Sequence, residues 1–209
     1  MNILLDKLPT EYKGYKINTD FRIGIQISIL FTDNTISEDD KLDQAIDLLW
    51  GNGVPTTLTD DGIIVDYTLI TETINWFMLC GKDPKEKFSF KKDKNGEKGD
   101  LLVEDIAYDF DVDDIYIYAA FVQQYGIDLT KTNMHWFKFN ALFSAIRDCT
   151  FSDLQEIRMR DPLDYEAGKQ RAAVMRQKEN YRIKKESRVT PERRAQLEMT
   201  FGSEWREHI

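Results

Sequence analysis

The chain has 209 residues, of which 42% are hydrophobic and 12% aromatic, enough to bury a core in one domain or two small ones and too apolar for a disordered chain. Its formal net charge is −9, which disfavours nucleic acid as the main partner, because phosphate binding needs a basic surface. No run approaches the roughly 20 apolar residues that span a bilayer, and Met1–Leu5 is too short and lacks the basic start of a signal peptide.

The charge is unevenly placed. Residues 166–209 hold 11 Lys and Arg against 7 Asp and Glu, which leaves 17 against 30 in residues 1–165. The sequence therefore divides into an acidic body, 1–165, and a basic helical arm, 166–209. Cys80 and Cys149 are far apart, each in an apolar helical pattern, and are expected as buried free thiols.

Taken in chain order, residues 2–18 place Ile3-Leu4-Leu5 and Tyr15-Lys16-Ile17 around turn residues, the pattern of a β-hairpin. Thr19-Asp20 caps a helix to about Phe31 that buries Phe21, Ile25, Ile29 and Leu30. Ser37 and Asp40 resemble a capping box for a helix carrying Leu42, Ala45, Ile46, Leu49 and Trp50, stopped by Gly51-Asn52-Gly53 and Pro55. Tyr67 to Leu79 forms a third helix with Ile70, Ile74, Phe77 and Met78 on one stripe. Residues 82–100, rich in Lys, Gly and charge, read as a linker.

Asp109, Asp111, Asp113 and Asp114 then precede IYIYAAFVQQYG, where acids in a first turn would complement the helix dipole. Asp128 and Thr130 start the next helix, TKTNMHWFKFNALFSAIRDC, and Thr150 with Asp153 caps FSDLQEIRMR. Asp161-Pro162 opens a helix of 25 residues or more, to about Arg188, and Thr190-Pro191 opens a last one. The expectation is a mainly α fold: a bundle of six to eight helices with an N-terminal β-hairpin and a long C-terminal helical arm.

Catalytic signatures are missing from the sequence. There is no G-x-S-x-G, P-loop or G-x-G-x-x-G. Of two histidines, His208 is near the C-terminus and His135, in NMHWFKF, reads as a packed residue with a hydrogen-bonded ring. The acid run at 104–114 is simpler as a helix start than as a metal centre. The spacing of Asp93, Asn95, Glu97 and Glu104 departs from a calcium loop, with Lys98 in place of the glycine and Asp100 in place of an aliphatic. No catalytic residue, cofactor or metal ligand is assigned, and the chain is expected to act by binding.

The aromatic density at 116–143 is the informative feature. Most of these rings are expected between two packed helices. Two helices do not easily hide them all, so Tyr116, Tyr118, Phe121, Tyr125, Trp136, Phe137 and Phe139 are the candidate residues for a groove that binds a helical partner.

Tyr108 to Pro162 carries, in order, Asp111 to Phe121, Tyr125 to Leu129, Met134 to Phe139, Asp148-Cys149-Thr150-Phe151 and Ile157 to Asp161. That combination resembles the bacteriophage "gene product fifteen" family, in which a D-x-D-x-x-x-I-Y-A-A-F-like helix leads to Y-G-I-D-L, an L-H-W-W-K-F-like helix, a D-T-x-F step and I-R-x-x-D. Ile3 to Phe21 and Trp76 to Lys82 match the family's opening and middle. Phe137 stands for the second Trp, Met134 for the Leu, and Cys149 splits the D-T pair; the arm after Tyr181 extends beyond the family pattern.

The resemblance implies a tail-assembly chaperone of long non-contractile-tailed phages. Such a protein binds the tape-measure protein, supports tail-tube polymerisation in the cytoplasm of the infected bacterial host, and is absent from the finished virion. The major tail protein and a companion chaperone are further implied partners. An acidic body with a basic arm also suggests a homo-oligomer through head-to-tail contact, with Arg171, Arg176, Arg182, Lys184 and Lys185 against Asp109, Asp111, Asp113 and Asp114. Two other readings stay open: a virion component such as a tail completion or head–tail connector protein, and a nucleic-acid-associated factor using the basic C-terminal helix.

Overall fold

The computed structural model describes residues 2–51, 53–59, 62–82 and 106–183. Among them are two β-hairpins and seven α helices. Of the linker read at 82–100, all but Lys82 lies outside the described residues, as do the acids Glu104 and Asp105, Lys184, Lys185 and the last expected helix.

The N-terminal hairpin pairs β1 (Glu11–Tyr12) with β2 (Tyr15–Lys16) across Lys13 and Gly14, both at positive φ. It is smaller than the sequence suggested. Ile3–Leu5 form no strand: Leu5 and Asp6 donate to the Asn2 carbonyl in a local turn, and Leu4 and Leu5 stay exposed. Tyr12 stacks on Trp76 at 4.6 Å, and the Tyr15 hydroxyl donates to the Thr56 carbonyl at 2.9 Å, so the hairpin is strapped to the rest of the body.

Helix α1 (Phe21–Thr32) starts where Asp20 accepts from the Arg22 amide. Its buried face is Phe21, Gly24, Ile27 and Leu30, with Ile25 and Ile29 at the margins. The rotation from the expected stripe comes from Gly24. A Cβ there would lie 2.2 Å from the ring of Trp136, so the missing side chain is the seat for the indole. Helix α2 (Glu38–Trp50) is capped by Ser37, whose Oγ accepts from the Asp40 amide, and ends at Gly51. Its buried Ala45, Ile46, Leu49 and Trp50 match the expected stripe.

A second hairpin, β3 (Thr56–Thr59) with β4 (Gly62–Val65), runs antiparallel from Thr56 opposite Val65 to Thr59 opposite Gly62. The sequence analysis missed it, although TTLTDDGIIV carries β-branched residues on both sides of a D-D-G turn signal. The Asp66 amide donates to the Pro55 carbonyl and closes it. Asp66 then caps α3 (Tyr67–Met78), which buries Ile70, Thr73, Ile74 and Phe77.

Helices α4 (Asp114–Tyr125) and α5 (Trp136–Ser144) hold the aromatic cluster. The second starts at Trp136, later than the start at Thr130 that the sequence suggested. Asp128 folds its own carboxylate onto the Thr130 amide and hydroxyl, which makes a turn instead of a helix. The chain then pairs with the segment before α1: the Phe21 amide donates to the Met134 carbonyl at 2.9 Å, and the Trp136 amide to the Thr19 carbonyl at 2.8 Å. Both helices therefore spring from one short antiparallel bridge, which fixes how α1 and α5 cross.

Helix α6 (Thr150–Met159) begins at Cys149, whose amide donates to the Ser152 hydroxyl. The expected long helix after Pro162 is divided. Asp161 caps a single 3-10 turn, Pro162–Asp164, and Gly168 at φ +133° separates it from α7 (Lys169–Tyr181). Helix α7 is no free arm, since it packs along α6 and buries Val174. Ile183, just beyond it, is buried too.

The core centres on Phe139, fully buried. Phe21 and Phe121 stack on it at 5.0 Å each, and Trp136 and Phe143 at 5.6 and 5.8 Å. Helices α1, α4 and α5 meet on this ring, and α3 joins through Phe77 against Trp136 and Phe137. Ala at an exposed helical site would be favoured over Gly by about 1 kcal/mol. Here the clash with Trp136 dominates, so Gly24→Ala should destabilise by about 1–3 kcal/mol, read as a lower urea midpoint at unchanged slope.

Candidate functional site

The acid run does not behave as a uniform helix start. Asp109 folds back, its Oδ1 accepting from the Asp111 and Val112 amides. Asp114 alone supplies an acid in the first turn of α4. Asp113 occupies the cap position without capping; its carboxylate is fully buried and faces Arg158. Two parallel bonds join them, Nη1 to Oδ2 at 2.7 Å and Nη2 to Oδ1 at 2.9 Å. Asp113 Oδ2 also accepts from the Asp109 amide at 3.0 Å.

Arg158 spends its remaining donors on the backbone. Nε donates to the Tyr181 carbonyl at 2.7 Å and Nη1 to the Ala107 carbonyl at 3.1 Å. One guanidinium thus ties α6 to the start of α4, to the bend at Ala107 that leads into it and to the end of α7. The sequence analysis did not single out Arg158, but a signal existed. Phe151, Leu154 and Arg158 share one helical stripe, which puts a charge where an apolar side chain is expected.

The rings proposed for a groove separate into two groups. Phe121, Trp136, Phe137 and Phe139 are buried in the core and cannot line an open groove. Tyr125 is half-buried and structural, its hydroxyl donating to the Leu142 carbonyl at 2.8 Å. Tyr116 and Tyr118 are exposed, on the side of α4 that faces away from Phe139. They border exposed apolar residues that the sequence analysis did not name: Ile115, Ala119 and Val122 on α4, at steps of four and three, with Val112 in the turn before it. Ile115 is 72% exposed. Helix α4 carries apolar side chains on two opposite faces, with Asp114, Gln123 and Gln124 as polar breaks. The core takes Ile117, Ala120 and Phe121, and the opposite face is left open.

A groove of about 330 Å³ lies between the C-terminal half of α1 and residues 106–110, lined mainly by Ile29, Phe31, Ile106, Tyr108 and Phe110. That is the small end of ligand cavities. The Tyr108 ring packs on Phe110, Phe143 and Phe151, and its partial burial pushes its hydroxyl above the ordinary range.

His135 is a helix cap. Its Nδ1 accepts from the Phe137 amide at 3.1 Å, so Nε2 carries the proton and donates to the Pro9 carbonyl at 2.8 Å. Burial holds its pKa below 6.5, against the opposing pull of Pro9. Cys80 and Cys149 are both free, Cys149 buried and Cys80 half-buried, and burial lifts the Cys80 thiol to about 11. Among the described residues, no three His, Cys, Asp or Glu side chains converge as a metal site. Of the expected basic arm, Arg171 donates to the Tyr165 carbonyl, Arg176 is exposed and Arg182 lies 3.6 Å from Glu179.

A family model described as Bacteriophage Gp15 protein matches residues 4–183. The chain belongs to that family. No curated protein and no solved structure matches it. The Gp15 match ends at Ile183, the last described residue, and its span includes both partners of the buried ion pair. Asp113 and Arg158 come from two separate elements of the motif pattern, the acidic helix start and I-R-x-x-D, and the fold brings them into contact. Among the described residues, no helix of this Gp15 chain is long and apolar enough to cross a membrane.

Removing one partner of the ion pair leaves the other buried and uncompensated. Asp113→Ala or Arg158→Ala should each cost about 3–5 kcal/mol, while the double variant Asp113→Leu/Arg158→Met should recover much of it in urea unfolding. His135 gives a separate prediction. Its folded pKa is depressed, so its contribution is complete above 6.5 and falls away as pH drops below 6.5, where only the unfolded chain takes up the proton. His135→Asn keeps a cap acceptor and should flatten the difference in stability between pH 7.5 and pH 5.5.

Proposed function

We propose that this Gp15-family chain is a phage tail-assembly chaperone. In this reading it binds the tape-measure protein in the cytoplasm of the infected host, supports tail-tube polymerisation and leaves before the virion is complete. It works by binding, without a catalytic step. Membership of a phage family supports the setting.

The observation that carries the binding role is the open face of α4. An acidic protein that leaves Val112, Ile115 and Val122 exposed in one row, flanked by Tyr116 and Tyr118, offers an apolar strip with hydrogen-bonding edges. Such a strip suits the apolar face of a helix, which docks through side chains at the same three-and-four spacing. Contiguous exposed apolar surface on a soluble protein is a common mark of an interaction site. The surrounding negative charge keeps the complex soluble while the partner's apolar surface is covered.

The test is co-expression with the phage tape-measure protein, followed by size-exclusion chromatography with light scattering. The expected result is a soluble, multi-copy complex that is lost in Ile115→Asp/Val122→Asp, whose side chains are exposed and whose replacement leaves the fold intact. Separate elution, with the tape-measure protein still aggregating, would overturn the reading. Mass spectrometry of purified particles should find the chain absent; its presence would make it a virion component.

A further inference from the structure

The outward side of α4 has a shape as well as an apolar character. Ile115, Tyr118, Ala119 and Val122 stand at positions i, i+3, i+4 and i+7, and all four are exposed. Four helix residues spaced in this way form the hole into which a facing helix inserts one side chain. Ala119 is the small member, so the floor of the hole is low between three larger side chains. The row is open at its C-terminal end, where a Cβ at Gly126 would meet no described atom within 4 Å.

One edge of that hole is negative. Asp114 and Tyr118 share it at a step of four residues, and Asp111 is exposed in the turn just before the helix. Asp114 accepts from the Ile115 amide and forms no ion pair among the described residues. Lys131, near the same edge, is already neutralised: it lies 2.9 Å from Asp128, whose Oδ1 is 3.5 Å from the Tyr118 hydroxyl. Bonds from Thr130 and Lys131 hold the Asp128 carboxyl down at about 2, so these two charges cancel at neutral pH. The edge therefore keeps the sign of Asp114, in a body, residues 1–165, that holds 17 basic and 30 acidic residues.

A helix that fits this surface meets two conditions. It brings one large apolar side chain, such as a leucine or methionine, over Ala119, because a small one would leave the hole empty and forfeit its contacts. It also carries Lys or Arg beside that seam, because an acidic helix would set like charges side by side as water leaves. A neutral apolar helix lacks the second feature, and a purely hydrophilic cation lacks the first.

We infer that the outward face of α4 selects a cationic amphipathic helix, which seats one large apolar side chain over Ala119 among Ile115, Tyr118 and Val122 and lays Lys or Arg along the Asp114 edge. This rests on the reading of that face as the binding surface and adds the chemistry of the segment it takes. The acidic balance of the chain then serves recognition as well as solubility.

The test uses the full chain and three fluorescein-labelled designed helices: one with a leucine face and a lysine face, one with leucine and glutamate, and one with alanine and lysine. Fluorescence anisotropy should place the Leu/Lys helix first, on the order of tenfold tighter than either of the others. Asp114→Asn keeps an acceptor for the Ile115 amide and should narrow the gap between Leu/Lys and Leu/Glu. Asp43→Asn, on the exposed side of α2, should leave that gap unchanged. Ala119→Gln should weaken the Leu/Lys helix and Ala119→Ser should not, with circular dichroism checking the fold of each variant. The inference is overturned if the Leu/Lys helix does not bind, if either other helix binds as well, or if Ala119→Gln binds it like the wild type. Ile115→Asp separates the two readings. If both leucine helices bind equally and both are lost in Ile115→Asp, the face is the binding surface and only its charge selection fails. If the co-expressed tape-measure complex survives Ile115→Asp/Val122→Asp, the face itself is the wrong surface.

Discussion

A guanidinium taken out of water into a protein interior loses several kcal/mol of hydration, and the loss is offset only when every donor finds an acceptor in good geometry. Arg158 places four of its five N–H donors, two on the Asp113 carboxylate at its outer edge and one each on the carbonyls of Ala107 and Tyr181. Two segments far apart in sequence, residues 107–113 and the end of α7, are therefore held by a side chain of a third. The start of α4, and with it the direction in which its open face points, depends on this contact. So does the docking of α7, which has few apolar residues of its own and buries Val174 alone along its length. Without Arg158, α7 would hold to α6 through Val174 and the 2.9 Å bond from Lys178 to the Arg160 carbonyl.

The aromatic column around Phe139 does a different kind of work. Its rings are buried where α1, α4 and α5 converge, and the stacking of Phe21 and Phe121 on Phe139 at 5.0 Å each adds orientation to that burial. Gly24 makes the column possible by letting the Trp136 ring lie on the α1 backbone. The bridge between Thr19–Phe21 and Met134–Trp136 then fixes the register, so the ring stack and the helix crossing are set by the same few residues. The core fills one side of α4, and among the described residues Ile115 and Val122 on its other side stay exposed. The open face follows from the completed core and from a helix that carries apolar residues on two faces.

Much of the fold was legible in the sequence. Asp20, Ser37 and Asp161 sit where their types predict a helix start, and Gly51 and Gly126 where a glycine ends one. The stripes of α2 and α3 came through nearly unchanged, because each has a single apolar face and thus one way to turn. Misreadings arose where local and tertiary preferences compete. Asp128 bends its own backbone and removes a turn and a half from the expected α5. Gly168 interrupts a helical pattern that charge and periodicity would have carried through. Ile3–Leu5 had strand-like residues and no strand to pair with.

The candidate site was less legible. Tyr116 and Tyr118 are on the surface, as a binding surface needs, but Phe121, Trp136, Phe137 and Phe139 were taken for the same feature and belong to the core. Aromatic density cannot say which side of a helix is buried when both sides are apolar; that depends on which neighbours arrive, and they come from residues as distant as Phe21. Asp113 shows the same limit: read with Asp109, Asp111 and Asp114 it is one of four surface acids, and its burial requires Arg158, 45 residues away. By itself the sequence determined a mainly helical chain, its helix starts and stops, its acidic balance and its family motifs, because these depend on residues close in sequence. Tertiary structure alone decided which acid turns inward, which rings fill the core and which face of α4 stays open, because each rests on contacts between elements whose spacing along the chain carries no record of their meeting.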